Sequence, residues 1–501
     1  MDKNVAAQPA YDLKNLTMGI GGALLAVGVL TIARIVILFF AEQDLFFDEA
    51  QYWFWSTSIE GGYFSKPPGL AVVIATTTGL CGDSEACIRV GAPVLYALAA
   101  GGVGLLAARM AGTAAGCAAA LLFLTIPGVS FGARLISTDA PLLVCWAAAL
   151  YLFHRYLETR SWMDAILLGA AVGLGFLAKY AMVYFGFCLA VHALIERRVL
   201  DRLTDLKLWV GFAVAVLVFS PNLIWNLQNG AVTLAHTADN ASWGGALFNP
   251  DELAEFSGAQ IGILGPVLFG ILVWGLWRFA RNLTDDERFL LAFSVPITAT
   301  MCLQALISRA NANWAALSFV AFVILAVVLA FRLRARAWLA VAFATHLAVM
   351  VGFAIIDMNV KSWSMTVERT PFKRVLGWAD VSDAVRAVAR DNAVRSVVSN
   401  SRSVTAQLTY YLRDDDLPVH AWLYSNSPRN HYEQVMPATA DIPGPILVVT
   451  RCGVDFGEVL EGVRKTGNVA VPIARARERT LYWAVMDAMP ADPPPLADCR
   501  G

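Results

Sequence analysis

About eleven apolar runs of near-spanning length, separated by short polar loops, occupy residues 17–356 and leave this chain few folds to choose from. About 30 Å of hydrocarbon takes about 20 helical residues at a rise of 1.5 Å each. The runs are 17–40, 88–109, 112–127, 138–154, 163–178, 180–195, 208–225, 258–279, 289–307, 313–331 and 338–356. Those at 112–127, 163–178 and 180–195 are short, as expected of tilted, kinked or partly interfacial segments. Only 15% of the 501 residues are charged, against about 25% in soluble chains, which points to burial in a bilayer. The net charge of −1 excludes bulk attraction to nucleic acid as the main business. The first run has no small-residue cleavage site and is expected to stay as a first span.

Lys and Arg set the orientation. With the N-terminus inside, the cytoplasmic loops hold Arg109; Arg155 and Arg160; Arg197, Arg198, Arg202 and Lys207; Arg278, Arg281 and Arg288; and Arg332, Arg334 and Arg336. The opposite loops carry isolated cations: Lys66, Arg134, Lys179 and Arg309. The first loop, about residues 41–87, then faces outward, as does everything after residue 356. The expected architecture is an α-helical polytopic membrane domain (1–356) followed by a periplasmic α/β domain (357–501). In the latter, helix-like stretches at 381–390, 404–412 and 456–465 alternate with strand-like stretches at 394–398, 418–423, 446–450, 468–474 and 480–486.

Cys117, Cys145, Cys188 and Cys302 lie in apolar runs as small buried hydrophobes. Cys81 and Cys87 flank the end of the first loop, where an oxidising compartment would allow pairing; free thiols fit the sequence equally well. No His/Cys cluster suggests zinc.

Ionisable groups at a membrane edge are costly and mark candidate sites. The first loop reads Phe47-Asp48-Glu49-Ala50-Gln51-Tyr52-Trp53, then Phe64-Ser65-Lys66-Pro67-Pro68. On a helix begun at Asp48, Gln51, Tyr52 and Trp55 share its face, while Glu49 points about 100° away. One carboxylate can then address a reacting group while the other orients a neighbour; the plainer alternative is a cap and a dipole partner. Trp53, Phe54 and Trp55 are expected in an interfacial aromatic belt. Proline after Lys66 keeps that residue extended, holding an ammonium where a phosphate could meet it; snorkelling is the alternative. Arg134 and Asp139 open the fourth span in Arg-Leu-Ile-Ser-Thr-Asp-Ala-Pro, where Thr138 or Asp139 also suits the N-cap. Lys179 beside Tyr180, His236 in the loop 222–257, and Arg309 with Asn313 complete the candidate set.

As a set, Asp-Glu in the first outer loop, Lys-Pro-Pro, and Thr-Asp-Ala-Pro at the fourth span resemble the GT-C membrane glycosyltransferases of family 39. That class includes protein O-mannosyltransferases and lipid A aminoarabinose transferases. Phe46–Leu70, Leu135–Leu143, Leu177–Tyr184, Pro221–Asn240 and Ser308–Ala316 look closer still to the rhizobial lipopolysaccharide galacturonosyltransferase group. The resemblance spans roughly 15–330; the sequence of the C-terminal domain adds nothing to it. It implies inverting transfer of a hexosyl, pentosyl or uronosyl group from a polyprenyl-phosphate donor. The acceptor would be lipid A, another envelope glycan or a protein, at the periplasmic face of the bacterial inner membrane. Asp48 would match the general base and Asp139 an acidic residue lining the cavity; Asp48, Glu49 and Asp139 are the candidate catalytic residues. Tyr52, Lys66, Arg134, Lys179, His236, Arg309 and Asn313 would serve the donor phosphate or substrate. Aminoarabinose-type relatives carry Glu before Lys-Pro-Pro, where a metal can be held; here the residue is Ser65, so no obligatory divalent ion or other cofactor is expected.

A flippase or transporter of a lipid-linked saccharide is the alternative from another class. Buried midplane charges and inverted repeats would favour it, but the ionisable residues gather at span ends and no repeat shows. A structural subunit of an envelope complex fits the topology and leaves the charges of the first loop unexplained.

Overall fold

The computed structural model describes residues 13–233, 235, 248–424, 428–491 and 493–496. Its first part is a helical bundle: α1 (Leu13–Leu38), α2 (Phe47–Ser56), α3 (Gly69–Cys81), α4 (Glu85–Arg89), α5 (Gly91–Ala111), α6 (Thr113–Thr125), α7 (Pro127–Gly132), α8 (Asp139–Thr159) and α9 (Trp162–Ala178). It continues through α10 (Val183–Ile195), α11 (Arg197–Arg202), α12 (Leu206–Gln228), α13 (Pro250–Leu264), α14 (Pro266–Phe279), α15 (Asp285–Ala292), α16 (Val295–Ile307), α17 (Ala316–Arg332) and α18 (Arg336–Asp357). Among the described residues seven helices are long and apolar enough to cross a membrane, or eight if one bent pair forms a single span. The chain is a multi-pass membrane protein.

All eleven apolar runs are helical, with two departures from expectation. The run 258–279 is not one straight span: α13 and α14 meet at 101°. The hinge is Gly265 at φ +88°, where a Cβ would fall 2.2 Å from His346 Nε2, so only glycine fits. The first loop is also more ordered than a loop, since it contains α2 and α3.

Helix α17 is the centre of the bundle; every residue from Leu317 to Ala330 except Phe322 is buried. By contrast α1 exposes Leu24, Leu25 and Ile32, and α12 exposes Leu217 and Leu227, as lipid-facing helices should. Helix α8 runs between two polar ends, with Asp139 at its start and His154 and Glu158 near its finish. At that second end Arg109 pairs with Glu158 at 2.5 Å, Arg288 with Glu196 at 2.5 Å, and Arg332 with the buried Glu287.

The remainder begins with the short α19 (Val360–Ser364) and α20 (Trp378–Asp391). Then follow β1 (Ser396–Ser399), α21 (Arg402–Tyr411), β2 (Val419–Ala421), α22 (His431–Val435), β3 (Ile446–Thr450), α23 (Phe456–Val459), β4 (Val463–Ala474) and β5 (Arg477–Met486). The sheet order is β2-β1-β3-β5-β4. Strand β1 pairs in parallel with β2 and β3 (Val397 opposite Val419 and Leu447), and β5 runs antiparallel to β3 and β4. Strands β1 and β3 are buried throughout, which is why they read as continuous apolar runs. Trp378, Val381, Val385, Val404 and Leu408 of α20 and α21 cover one face; Trp422 and Phe456 pack on the other. The helix expected at 456–465 stops at Val459 because β4 starts at Val463.

This unit sits against α2. Asp44 N–H donates to Val375 O at 3.0 Å, Gln407 Nε2 to Leu45 O at 2.7 Å, and Tyr410 Oη to Asp83 O at 2.8 Å. Trp53 and Trp55, expected at the lipid interface, are 6% and 1% exposed beneath this unit. Trp53 lies edge-on to Tyr410 and Trp55 stacks on Tyr63, with the His431 ring across both. Protein, not lipid, covers these indoles.

Candidate active site

The site is assembled around α2. Its first turn carries Asp48 and Glu49, favourably placed for the positive end of the helix dipole. Glu49 Oε2 accepts the Phe46 N–H at 2.9 Å, satisfying an otherwise orphaned donor. Arg89 of α4 donates to both oxygens of Glu49, at 3.0 and 2.8 Å, and Ile136 N–H donates to Oε1 at 2.9 Å. The remaining Arg89 donors reach the carbonyls of Gln43 and Asp44 at 3.0 and 2.9 Å. Both side chains are 2% exposed. The second carboxylate of the first loop is therefore occupied in holding α2 to the bundle, with both oxygens taken by protein donors.

Asp48, one residue earlier, is turned about 100° away and is one-third exposed. Arg402 of α21 donates to Asp48 Oδ1, and through Nε to Gln51 Oε1 at 2.6 Å. Among the described residues Oδ2 has no hydrogen-bond partner.

Tyr52 is buried beside Asp48, with Arg402, Asp139 and Glu49 within electrostatic reach. Lys66 lies within reach of Lys179, Asp48, Asp139 and Arg402. Its ammonium makes no ion pair or hydrogen bond among the described residues. Burial, reinforced by the Lys179 charge, pushes its pKa down to about 8, while Asp48 and Asp139 pull the other way. The Lys-Pro-Pro-Gly turn reaches Lys179 because Gly69 lies against the end of α9: a Cβ there would meet Leu177 O at 2.7 Å.

Lys179 caps the C-terminus of α9 and binds Asp139 Oδ1 at 2.6 Å; Asn313 Nδ2 donates to Asp139 Oδ2 at 2.7 Å. Asp139 thus gathers α8, α9 and the turn before α17. Nearby, Tyr180 Oη donates to Asn222 Oδ1 at 2.7 Å, and Asn222 Nδ2 to Gly61 O at 2.8 Å, fixing α12 to the first loop.

Two candidates stand elsewhere. Arg134 forks onto Asp357 at the end of α18, with Nε to Oδ2 at 2.6 Å, and stacks on Phe353 at 4.8 Å; Gln43 donates to the same carboxylate. It staples α7 to α18 and has no free fork to offer a phosphate. Arg309 is exposed beyond α16 and makes no ion pair among the described residues. His236 lies outside the described residues. Cys81 and Cys87 are joined as a disulfide. Among the described residues no three His, Cys, Asp or Glu side chains gather as a set able to hold a metal ion. Sequence reasoning missed Arg402 and Arg89, since neither neighbours its carboxylate in the chain.

Two cavities flank the cluster. One, of about 540 Å³, is lined by Phe123, Phe131, Ile263, Phe319 and Phe353, with Ser137, Asp139 and Asn313 among its polar residues. The other, of about 810 Å³, lies between the α2 region and the C-terminal unit and includes Phe47, Gln51, Ser65 and Arg402.

The helical membrane bundle, the apolar cleft that Asp139 and Asn313 line, and the small sheet-bearing unit fit the GT-C class of membrane glycosyltransferases, and the chain's likeness to its members shows that it belongs to that family. Residues 65–225 match the family described as dolichyl-phosphate-mannose-protein mannosyltransferase. The chain is 34% identical over 456 residues to the lipid A galacturonosyltransferase RgtD of Rhizobium johnstonii, covering 89% of this chain and 95% of that protein. It is 27% identical over 228 residues to the lipopolysaccharide core galacturonosyltransferase RgtA of the same organism, covering 45% of this chain and 46% of that one. Its fold is similar to that of ArnT from Cupriavidus metallidurans, solved bound to undecaprenyl phosphate, with a TM-score of 0.66 at 15% identity over 92% of this chain and 98% of that chain.

Proposed function

We propose that the chain takes a sugar from a polyprenyl-phosphate donor and passes it, with inversion, to lipid A or a related envelope glycan at the periplasmic face of the bacterial inner membrane. The observation that carries this reading is the continuity between an apolar cleft of lipid-tail character and the Asp139–Lys179–Asn313 cluster, with Lys66 and Asp48 beside it. The prenyl chain lies in the cleft and its phosphate meets the ammonium groups of Lys66 and Lys179. Asp48 Oδ2 accepts the proton of the acceptor hydroxyl as its oxygen bonds to the anomeric carbon. The bond from that carbon to the phosphate oxygen breaks, and the electron pair leaves with polyprenyl phosphate, whose growing charge the lysines stabilise. Glu49 serves as the anchor of α2. The likeness to RgtD supports a uronic acid as the transferred sugar.

Asp48→Asn tests this. The purified variant in lipid vesicles, supplied with polyprenyl-phosphate sugar and lipid A, should lose about 10²–10⁴-fold in turnover, the usual worth of a general base, while keeping donor affinity. Near-normal turnover removes Asp48 from the mechanism. Movement of the intact lipid-linked sugar across the vesicle wall, with no transfer, would favour a flippase.

A further inference from the structure

The far end of the bundle holds a pocket that the transfer chemistry does not use. Helix α8 carries Asp139 in its first turn and His154 and Glu158 near its finish, with about 22 Å from Asp139 to His154 at 1.5 Å per residue. There a cavity of about 370 Å³ lies between the ends of α8 and α10, the short α11 and the start of α15. Its polar groups are short of donors. His154 Nε2 donates to Asp286 Oδ1 at 2.9 Å, which leaves Nδ1 as a lone-pair acceptor in the neutral ring. That nitrogen has no hydrogen-bond partner and faces Glu158 Oε1, another acceptor, at 4.0 Å. His192 of α10 is 1% exposed, and neither of its ring nitrogens meets a partner. Both imidazoles stand edge-on to the Phe289 ring, at 5.2 and 5.3 Å between centroids, and so share one wall of the cavity. The one guanidinium in the lining, Arg198, is held by Asp285 at 2.8 Å.

Buried polar atoms are normally paired, so a cluster of unmet acceptors points to a ligand that donates. With Glu158, Asp285 and Asp286 against one guanidinium, the lining also favours a positive charge. A bare metal ion fits poorly: among the described residues no three His, Cys, Asp or Glu side chains converge on one, and the cavity has the volume of a small-molecule site. An ammonium on a carbon chain supplies the charge, three N–H donors and the bulk together. We propose that this pocket binds a primary organic ammonium, presented by an aminophospholipid headgroup or by a free diamine. The ammonium bridges His154 Nδ1 and Glu158 Oε1, whose 4.0 Å separation suits one donor nitrogen between them. Asp286 and His192 are its further partners in the same cavity. Helix ends stand at headgroup level in a bilayer, where both sources of the ammonium have access.

Binding tests this without any transfer reaction. Full-length protein in nanodiscs of phosphatidylcholine and phosphatidylglycerol is titrated by calorimetry with diaminobutane and with its fully methylated quaternary analogue, which keeps the charges and loses the N–H donors. In parallel, native mass spectrometry of protein released from discs of mixed phosphatidylethanolamine and phosphatidylcholine counts the lipids retained. Diaminobutane should bind about tenfold or more tighter than its methylated analogue, or one phosphatidylethanolamine should be retained about tenfold more often than phosphatidylcholine. The first result names a free amine as the source, the second a headgroup. His192→Phe exchanges a buried imidazole without partners for an apolar ring of similar size, and should weaken the preference about tenfold with the unfolding temperature retained. Asp286→Asn, at a half-buried position, should weaken it likewise and keeps the test open where His192→Phe fails to fold. The proposal is overturned if neither primary amine is preferred over its methylated counterpart, or if the preference survives in every variant that folds.

Discussion

Replacing Glu49 by glutamine separates a structural carboxylate from a chemical one. The wild-type pair is 2% exposed on both sides, so Glu49→Gln leaves the Arg89 cation buried with only the carbonyls of Gln43 and Asp44 as full partners. Breaking a buried ion pair from one side costs about 3–5 kcal/mol; the two carbonyls and the surviving amide oxygen place this case near the lower end. At about 1.4 kcal/mol per decade, the local opening of α2 becomes roughly a hundred- to a few-thousand-fold more frequent. Hydrogen exchange of the amides of 47–56, followed by mass spectrometry, reads that number directly, because exchange reports local opening free energy. Adding Arg89→Met removes the stranded charge and should return much of the protection, since an apolar replacement of a buried pair is often neutral or better. The reasoning fails if Glu49→Gln keeps wild-type protection over α2 and yet abolishes turnover. That outcome would give the residue a role in the reaction itself.

The Lys66 ammonium, with its pKa near 8, is charged below that pH and neutral above it. Donor KM should therefore rise as pH passes 8 and approach about tenfold per unit above it, whereas Lys66→Arg should flatten the profile; a donor KM independent of pH from 7 to 9 refutes the phosphate role. Arg134→Met should leave donor KM unchanged while loosening the attachment of α7 to α18, seen as faster exchange around 131–137 and 353–357; a raised donor KM with normal exchange would return Arg134 to the phosphate. Asp139→Asn removes the ion pair of Lys179 but can keep the Asn313 contact, so donor affinity should change more than stability; unchanged donor titration argues against a place for this cluster at the donor.

Much of the bundle was legible because the bilayer dictates apolar runs of spanning length. All eleven runs are helical, those at 258–279 and 289–307 each as two helices, and the strand–helix alternation after residue 356 resolves into one sheet. The bend at Gly265 was not legible, since the run 258–279 is apolar on both sides and only the approach of His346 calls for glycine there. The aromatic triplet at 53–55 misled for the same kind of reason: tryptophan suits a lipid interface and a protein interface alike. Within the site, Asp48, Lys66, Asp139, Lys179 and Asn313 stand out as charges or amides at span ends, and the structure gathers them. Glu49 and Arg134 stand out equally in sequence, yet each is absorbed by a partner far along the chain, Arg89 or Asp357. Local spacing cannot reveal such pairings.

Arg402 carries the largest consequence of that kind. It lies 354 residues from Asp48 in sequence, on a helix of the C-terminal unit, and grips both Asp48 and Gln51. The same helix ties Tyr410 to the Asp83 carbonyl and Gln407 to the Leu45 carbonyl, so the unit forms a wall of the site and fixes the register of α2 within it. A planar guanidinium fork holds two acceptors at a set separation; an ammonium on a flexible stem does not. Arg402→Lys keeps the charge and loses the fork, and should therefore let Asp48 drift. Misplacing a reacting group by about 1 Å can cost about 10²-fold in rate, so with Asp48 as the proposed base kcat should fall by about 10- to 100-fold with donor affinity and unfolding temperature retained. Wild-type kcat in Arg402→Lys would show that charge alone suffices, and that the C-terminal unit contributes a field at the proposed base and no alignment.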